Sequence, residues 1–112
     1  MAGYVYLLGD WTRDGVYKIG VTRGDIDKRI KKLQTGNSGE IYLVDFWKTE
    51  HPFLMEKNLH LKFGGKRIMN EWFELDFEET KNFKKYCSDI EKMFEAVKDN
   101  PFMFKDEKRK NR

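Results

Sequence analysis

The sequence predicts an α+β fold, with a small three-stranded, mainly antiparallel sheet flanked by about three helices. Three observations predict it. The first twenty residues read as two strands joined by a turn. A third β-rich run, Glu40 to Thr49, comes after one helical segment. Apolar residues recur at helical spacing in three separate stretches.

The opening strand, Gly3 to Leu8, alternates so that Tyr4, Tyr6 and Leu8 share one face and Val5 and Leu7 the other. Asp10 to Gly15 reads as the turn and Val16 to Gly20 as the returning strand, with Val16, Lys18 and Gly20 on one face. If Tyr6 and Lys18 fall on the same side of the sheet, a phenol and an ammonium stand together. Neither is an ordinary choice for a core.

Asp25 suits the N-cap of a helix running through Gln34 or Thr35, and Gly36 suits its end. Ile26, Ile30 and Leu33 form its apolar stripe. Arg29 lies about 60–70° around the helix from that stripe. It therefore borders the core, where this stretch alone favours a snorkelling side chain with a buried stem over an anion-binding one. Lys28, Lys31 and Lys32 face solvent. The run Ile41 to Trp47 carries large apolar groups on both faces, which predicts a central strand covered on each side.

His51-Pro52 opens a second helix, expected to reach about Phe63 before Gly64-Gly65 stops it. Phe53, Glu56, Leu59, His60 and Phe63 project to one side of it. A buried carboxylate needs a cation, a metal or a proton. A salt bridge from Glu56 to Lys18 or Arg29 would answer that need, and His60 would serve equally as a packed core histidine. Gly64 to Arg67 reads as a mobile basic loop, and Asn70 to Leu75 as a short extended piece inserting Trp72 or Phe73 into the core. Asp76 with Glu79 forms a capping box. A third helix is expected over 77–99, with Phe83, Tyr86, Cys87, Ile90, Met93, Phe94 and Val97 as its stripe.

Length and composition set the bounds. A chain of 112 residues predicts one domain over 1–99, followed by a charged tail over 100–112. The mean hydropathy of −0.79 and the lack of a long apolar run predict no membrane partner. A single cysteine, Cys87, excludes an internal disulfide and a Cys-based zinc site. With no leader pattern at the start, the expected setting is a reducing, cytoplasmic one, or a nuclear one in a eukaryotic host. Twenty-two Lys and Arg stand against nineteen Asp and Glu, a net charge of +3. That weak bias suits nucleic acid without demanding it.

Taken together, Val5-Tyr6, Lys18-Ile19-Gly20, Arg29 and Glu56 follow one another in a pattern that resembles the GIY-YIG nuclease superfamily. More narrowly, the chain is similar to the phage and large-DNA-virus branch in which the second motif reads Tyr-Lys-Ile-Gly. Leu33 to Gly36, the Glu56-to-His60 segment and Glu71-Trp72-Phe73 extend the likeness over residues 3–75. The resemblance implies a metal-dependent endonuclease acting on DNA, with RNA and single strands left open. It implies Tyr6 as general base, Arg29 as phosphate clamp and Glu56 as the ligand of one Mg2+ or Mn2+ ion. Lys18 takes the place of a second tyrosine, where its charge would favour the phenolate. His60 either orients the metal's surroundings or packs against the sheet. Asn70 is the candidate for a late family asparagine, with Glu71 equally near. Lys28, Lys32, Lys66, Arg67 and Asn70 are the expected nucleic-acid contacts, on a monomer or weak homodimer. The competing readings are a catalytically silent nucleic-acid-binding or targeting module, and a small interaction protein.

Overall fold

The computed structural model describes residues 2–100. Its sheet is antiparallel and has five strands, two more than expected. They are β1 (Gly3–Asp10), β2 (Arg13–Thr22), β3 (Ile41–Thr49), β4 (Arg67–Met69) and β5 (Trp72–Glu74), in the order β3-β1-β2-β5-β4. Helix α1 (Ile26–Thr35) lies against one face. The other face carries α2 (Pro52–Lys62) and α4 (Phe83–Ala96), with the single-turn α3 (Phe77–Lys81) leading into α4. The α+β class holds. The two extra strands have three residues each, too few to show a periodic signal.

Strand β1 is the doubly covered strand, in place of β3. Val5, Tyr6, Leu7 and Leu8 are all fully buried. Val5 and Leu7 join Ile19, Leu59, Phe73 and Phe83 under α2 and α4, while Tyr6 and Leu8 pack with Ile41, Ile30 and Leu33 under α1. Strand β3 is an edge, and its Leu43, Val44 and Phe46 are exposed. β-branched and aromatic side chains favour a strand wherever it sits, so composition alone did not reveal the edge. At its middle, Asp45 accepts from the backbone N–H of Phe46. Lys84 on α4 donates to the Phe46 carbonyl at 2.8 Å and pairs with Asp45, also at 2.8 Å.

The hairpin turn is shorter than expected. Only Trp11 and Thr12 separate the strands, and a bulge takes up the following residues, since Gly9 pairs with Tyr17 but Asp10 with Arg13. Gly15 stands in that bulge at φ +76°, and its carbonyl accepts from Leu75 N–H. The left-handed backbone there suits a residue without Cβ. Asp10 draws the turn closed: its carboxylate accepts from the Thr12 N–H and hydroxyl, from Arg13 and from Asn37. Gln34, at the end of α1, completes the clamp. It donates to the carbonyls of Asn37 and Gly39 and accepts from Ile41 N–H, which fixes the entry to β3.

The caps form as expected. Asp25 accepts from Lys28 N–H, and Asp76 and Glu79 form a reciprocal capping box. The expected helix over 77–99 is broken at Asn82, with α4 ending at Ala96. The break leaves Phe77 74% exposed while turning Phe83, Cys87 and Phe94 into the core. Helix α2 is buried more broadly than one sector. Leu54 and Met55 are buried along with Glu56 and Leu59, because the helix meets both the sheet and α4. The expected mobile loop after α2 is a 3-10 turn, Gly64–Lys66, running into β4. From residue 101 on, the expected charged tail lies outside the described residues.

Candidate active site

Register places Tyr6 and Lys18 on one face. Tyr6 pairs with Gly20 and Leu8 with Lys18, and paired residues share a face while residues two apart return to it. Lys18 also pairs with Trp72 of β5, so the α1 side of the sheet carries a phenol, an ammonium and an indole. Gly20 makes room for the phenol. A Cβ built on Gly20 would stand 2.5 Å from the Tyr6 hydroxyl and 2.7 Å from its ring carbons.

Arg29 reaches over this face from α1, and its Nε donates to the Tyr6 hydroxyl at 3.4 Å. The core-bordering position expected for Arg29 thus becomes a contact with the phenol. Burial pushes the Tyr6 pKa up. The Arg29 hydrogen bond and charge pull it back, and the charges of Glu71 and Glu56 add to the rise. The cation in contact with the phenol is therefore Arg29. Lys18 does not take that part, because its ammonium pairs with Glu71 at 3.3 Å and lies 5.6 Å from the centre of the Trp72 ring.

Glu56 arrives from the opposite side of the sheet. Strand β5 stops at Trp72, opposite Lys18. One further bond, from Ile19 N–H to the Glu71 carbonyl, closes the pairing there. Beyond it, among the described residues, β2 has no strand neighbour on that side. Glu56 is 4% exposed, and its charge acts on both Tyr6 and Arg29. His60, one turn along α2, donates from Nε2 to the Ile19 carbonyl at 2.9 Å and tilts over Phe73 at 5.0 Å. It anchors α2 at the point where the strand pairing ends.

The expected nucleic-acid contacts divide. Lys32 stands with Lys18 and Arg29 on a cleft between α1 and the sheet, and Lys28 is exposed on the same helix. Lys66 is drawn to Glu79 at 2.6 Å. Arg67 pairs in register with Phe73, over whose ring it lies at 5.3 Å, which places it on the α2 side of the sheet. Asn70 occupies the turn between β4 and β5 at φ +54°, a conformation that asparagine tolerates better than most residues. That backbone need accounts for an asparagine at position 70. The sequence marked Glu71-Trp72-Phe73 as part of the resemblance and Glu71 as an alternative to Asn70, but gave neither the pairing of Glu71 with Lys18 nor the place of Trp72 on the cleft.

Glu56 is a buried carboxylate that could supply an oxygen ligand. Among the described residues no three His, Cys, Asp or Glu side chains gather as a metal cage. The residues present fit an ion that takes one carboxylate from the chain and completes its shell with water and phosphate.

A family model, the T5orf172 domain, matches residues 3–91. The chain belongs to the T5orf172 domain family. That family is phage-associated and nuclease-like, of the GIY-YIG kind. The T5orf172 match runs from the start of β1 into α4, past residue 75, so α3 and the first part of α4 fall within the family's domain. No curated protein and no solved structure matches the chain.

Proposed function

We propose that this T5orf172 domain is a metal-dependent endonuclease that hydrolyses DNA phosphodiester bonds. The observation that carries the reading is the contact of Arg29 with the buried Tyr6 hydroxyl, with the charge of Glu56 felt by both. A phenol, a guanidinium and a carboxylate together can serve the three needs of phosphodiester hydrolysis, which are to deprotonate water, to neutralise the phosphoryl oxygens and to hold a Lewis acid.

Arg29 presents a planar fork that suits phosphate oxygens. A phosphate drawn to it lies beside the Tyr6 hydroxyl, and Tyr6 takes the proton from the attacking water. Burial opposes that step by favouring the neutral phenol, and Arg29 is what counters it. Lys18, held by Glu71, adds positive charge to the rim. Glu56 would hold the divalent ion, Mg2+ or Mn2+. Such an ion, when bound, supplies charge to the phosphoryl oxygens and to the leaving oxygen.

Supercoiled plasmid tests this directly. Nicking is expected with Mg2+, none with chelator, and Glu56→Ala is expected to lower the rate by about 10³-fold while Mg2+ no longer stimulates it. Plasmid nicking that is equal with chelator, or unchanged in Glu56→Ala, would overturn the assignment.

A further inference from the structure

Beside Tyr6, a cleft of about 350 Å³ opens between α1 and the sheet. That volume is at the small end of the range of about 300–1,000 Å³ that holds small ligands. Its lining is of two kinds. Lys18, Arg29 and Lys32 bring positive charge, while Trp72, Leu33 and Ile41 bring an indole and two aliphatic chains. A surface that only tracks a phosphate backbone needs the first kind alone. The second kind, beside the first, suits a flat apolar ring system attached to a phosphate. Arg29 belongs both to the cleft and to the Tyr6 contact, so whatever fills the cleft is adjacent to the reacting phosphate.

We propose that the cleft receives one unpaired nucleotide of the DNA substrate, and that the enzyme therefore favours DNA carrying an unpaired base over continuous duplex. The proposal rests on the nuclease reading above and names its substrate class. The base lies against Leu33, Ile41 and the part of Trp72 left by Arg13, whose guanidinium stands 4.4 Å from the centre of that ring, and the flanking phosphates face Arg29 and Lys32. A base still paired in a duplex must be unstacked before it can enter, whereas one already unpaired enters at little cost.

The test uses two duplexes of the same length and sequence, one fully paired and one with a single bulged 2-aminopurine, both in chelator so that neither is cut. Anisotropy reads affinity, and 2-aminopurine emission reads contact with Trp72. The bulged duplex is expected to bind about tenfold more tightly, the gain from one stacked base, with its emission quenched. Gly36→Leu fills the cleft from its rim. Gly36 has φ −97°, which any residue adopts, and a Cβ there meets nothing nearer than the Leu33 carbonyl at 4.0 Å. This variant is expected to bind paired duplex as the wild type does and to lose both the preference and the quenching. Equal wild-type affinities with unchanged emission overturn the cleft, and if plasmid is still nicked the nuclease reading stands without it. A preference that survives in folded Gly36→Leu overturns the location. Binding to neither duplex, with no nicking, overturns both readings.

Discussion

At the scale of single residues, the phenol at position 6 depends on what is missing at position 20. Tyr6 is fully buried with its ring over the Gly20 backbone, and the smallest side chain there would collide with it. Gly20→Ala is expected to cost about 2 kcal/mol of stability and to displace the hydroxyl from Arg29. Thermal unfolding and plasmid nicking measure the two effects. Tyr6→Phe, which keeps the ring, is expected to fold like the wild type and not to cleave. Arg29 makes a different prediction. It counters the upward push on the Tyr6 pKa, so the wild-type rate is expected to rise with pH, by about tenfold per unit between roughly pH 7 and 9. Arg29→Ala is expected to lower cleavage at neutral pH by about 10³-fold and to move the remaining activity to higher pH, with the fold retained by circular dichroism. Unfolding of that variant would show that the arginine holds the structure instead. The positions of the phenol and arginine were legible in the sequence because both depend on local periods, two for the strand and 3.6 for the helix. The Lys18–Glu71 pair was not legible. It joins residues far apart in the chain, and nothing in either neighbourhood announces the other.

Elements are joined by the Asp10 clamp, which ties the β1–β2 turn to the loop between α1 and β3. The Thr12 hydroxyl and the Asn37 amide, followed by the Thr12 N–H and Arg13, hold its carboxyl down at about 2 against some resistance from burial. The ordinary carboxyl value is near 4, so this stabilisation is complete above about pH 4 and is lost as pH falls through about 2. Asp10→Ala is expected to cost about 2 kcal/mol at neutral pH. The wild-type and variant stabilities, measured by urea unfolding, should converge as the acid side is approached. The clamp positions the cleft, because the same loop brings Asn37 and Ile41 to its wall. The legibility of elements followed their length and their caps. Helix α1 was readable to the residue at its start, since Asp25, the stripe and Gly36 all agreed. Strand β4 escaped because three residues cannot display alternation, β5 was read as an extended piece that buries Phe73 but not as a paired strand, and Asn82 broke the last helix without proline or glycine to mark it. The edge position of β3 depends on sheet order, which no local pattern encodes.

Across the whole molecule, two apolar clusters lie on either side of one sheet, and the proposed chemistry sits where that sheet is locally incomplete. Cys87 belongs to the larger cluster under α2 and α4, and burial pushes its thiol up to about 12. It is not a nucleophile in the resting fold. A thiol reagent at mildly alkaline pH is expected to modify it only as fast as the domain opens, with the rate climbing steeply through the urea transition. Rapid modification in buffer alone would show that the cluster opens locally. The long β3 edge has a consequence of another sort. A nine-residue strand with exposed Leu43, Val44 and Phe46 is the kind of border on which chains polymerise. Its central hydrogen-bonding groups are already engaged, the Phe46 N–H by Asp45 and the Phe46 carbonyl by Lys84. An incoming strand meets two short runs instead of one continuous template. The protein thereby keeps an apolar border in water without inviting fibre growth along it.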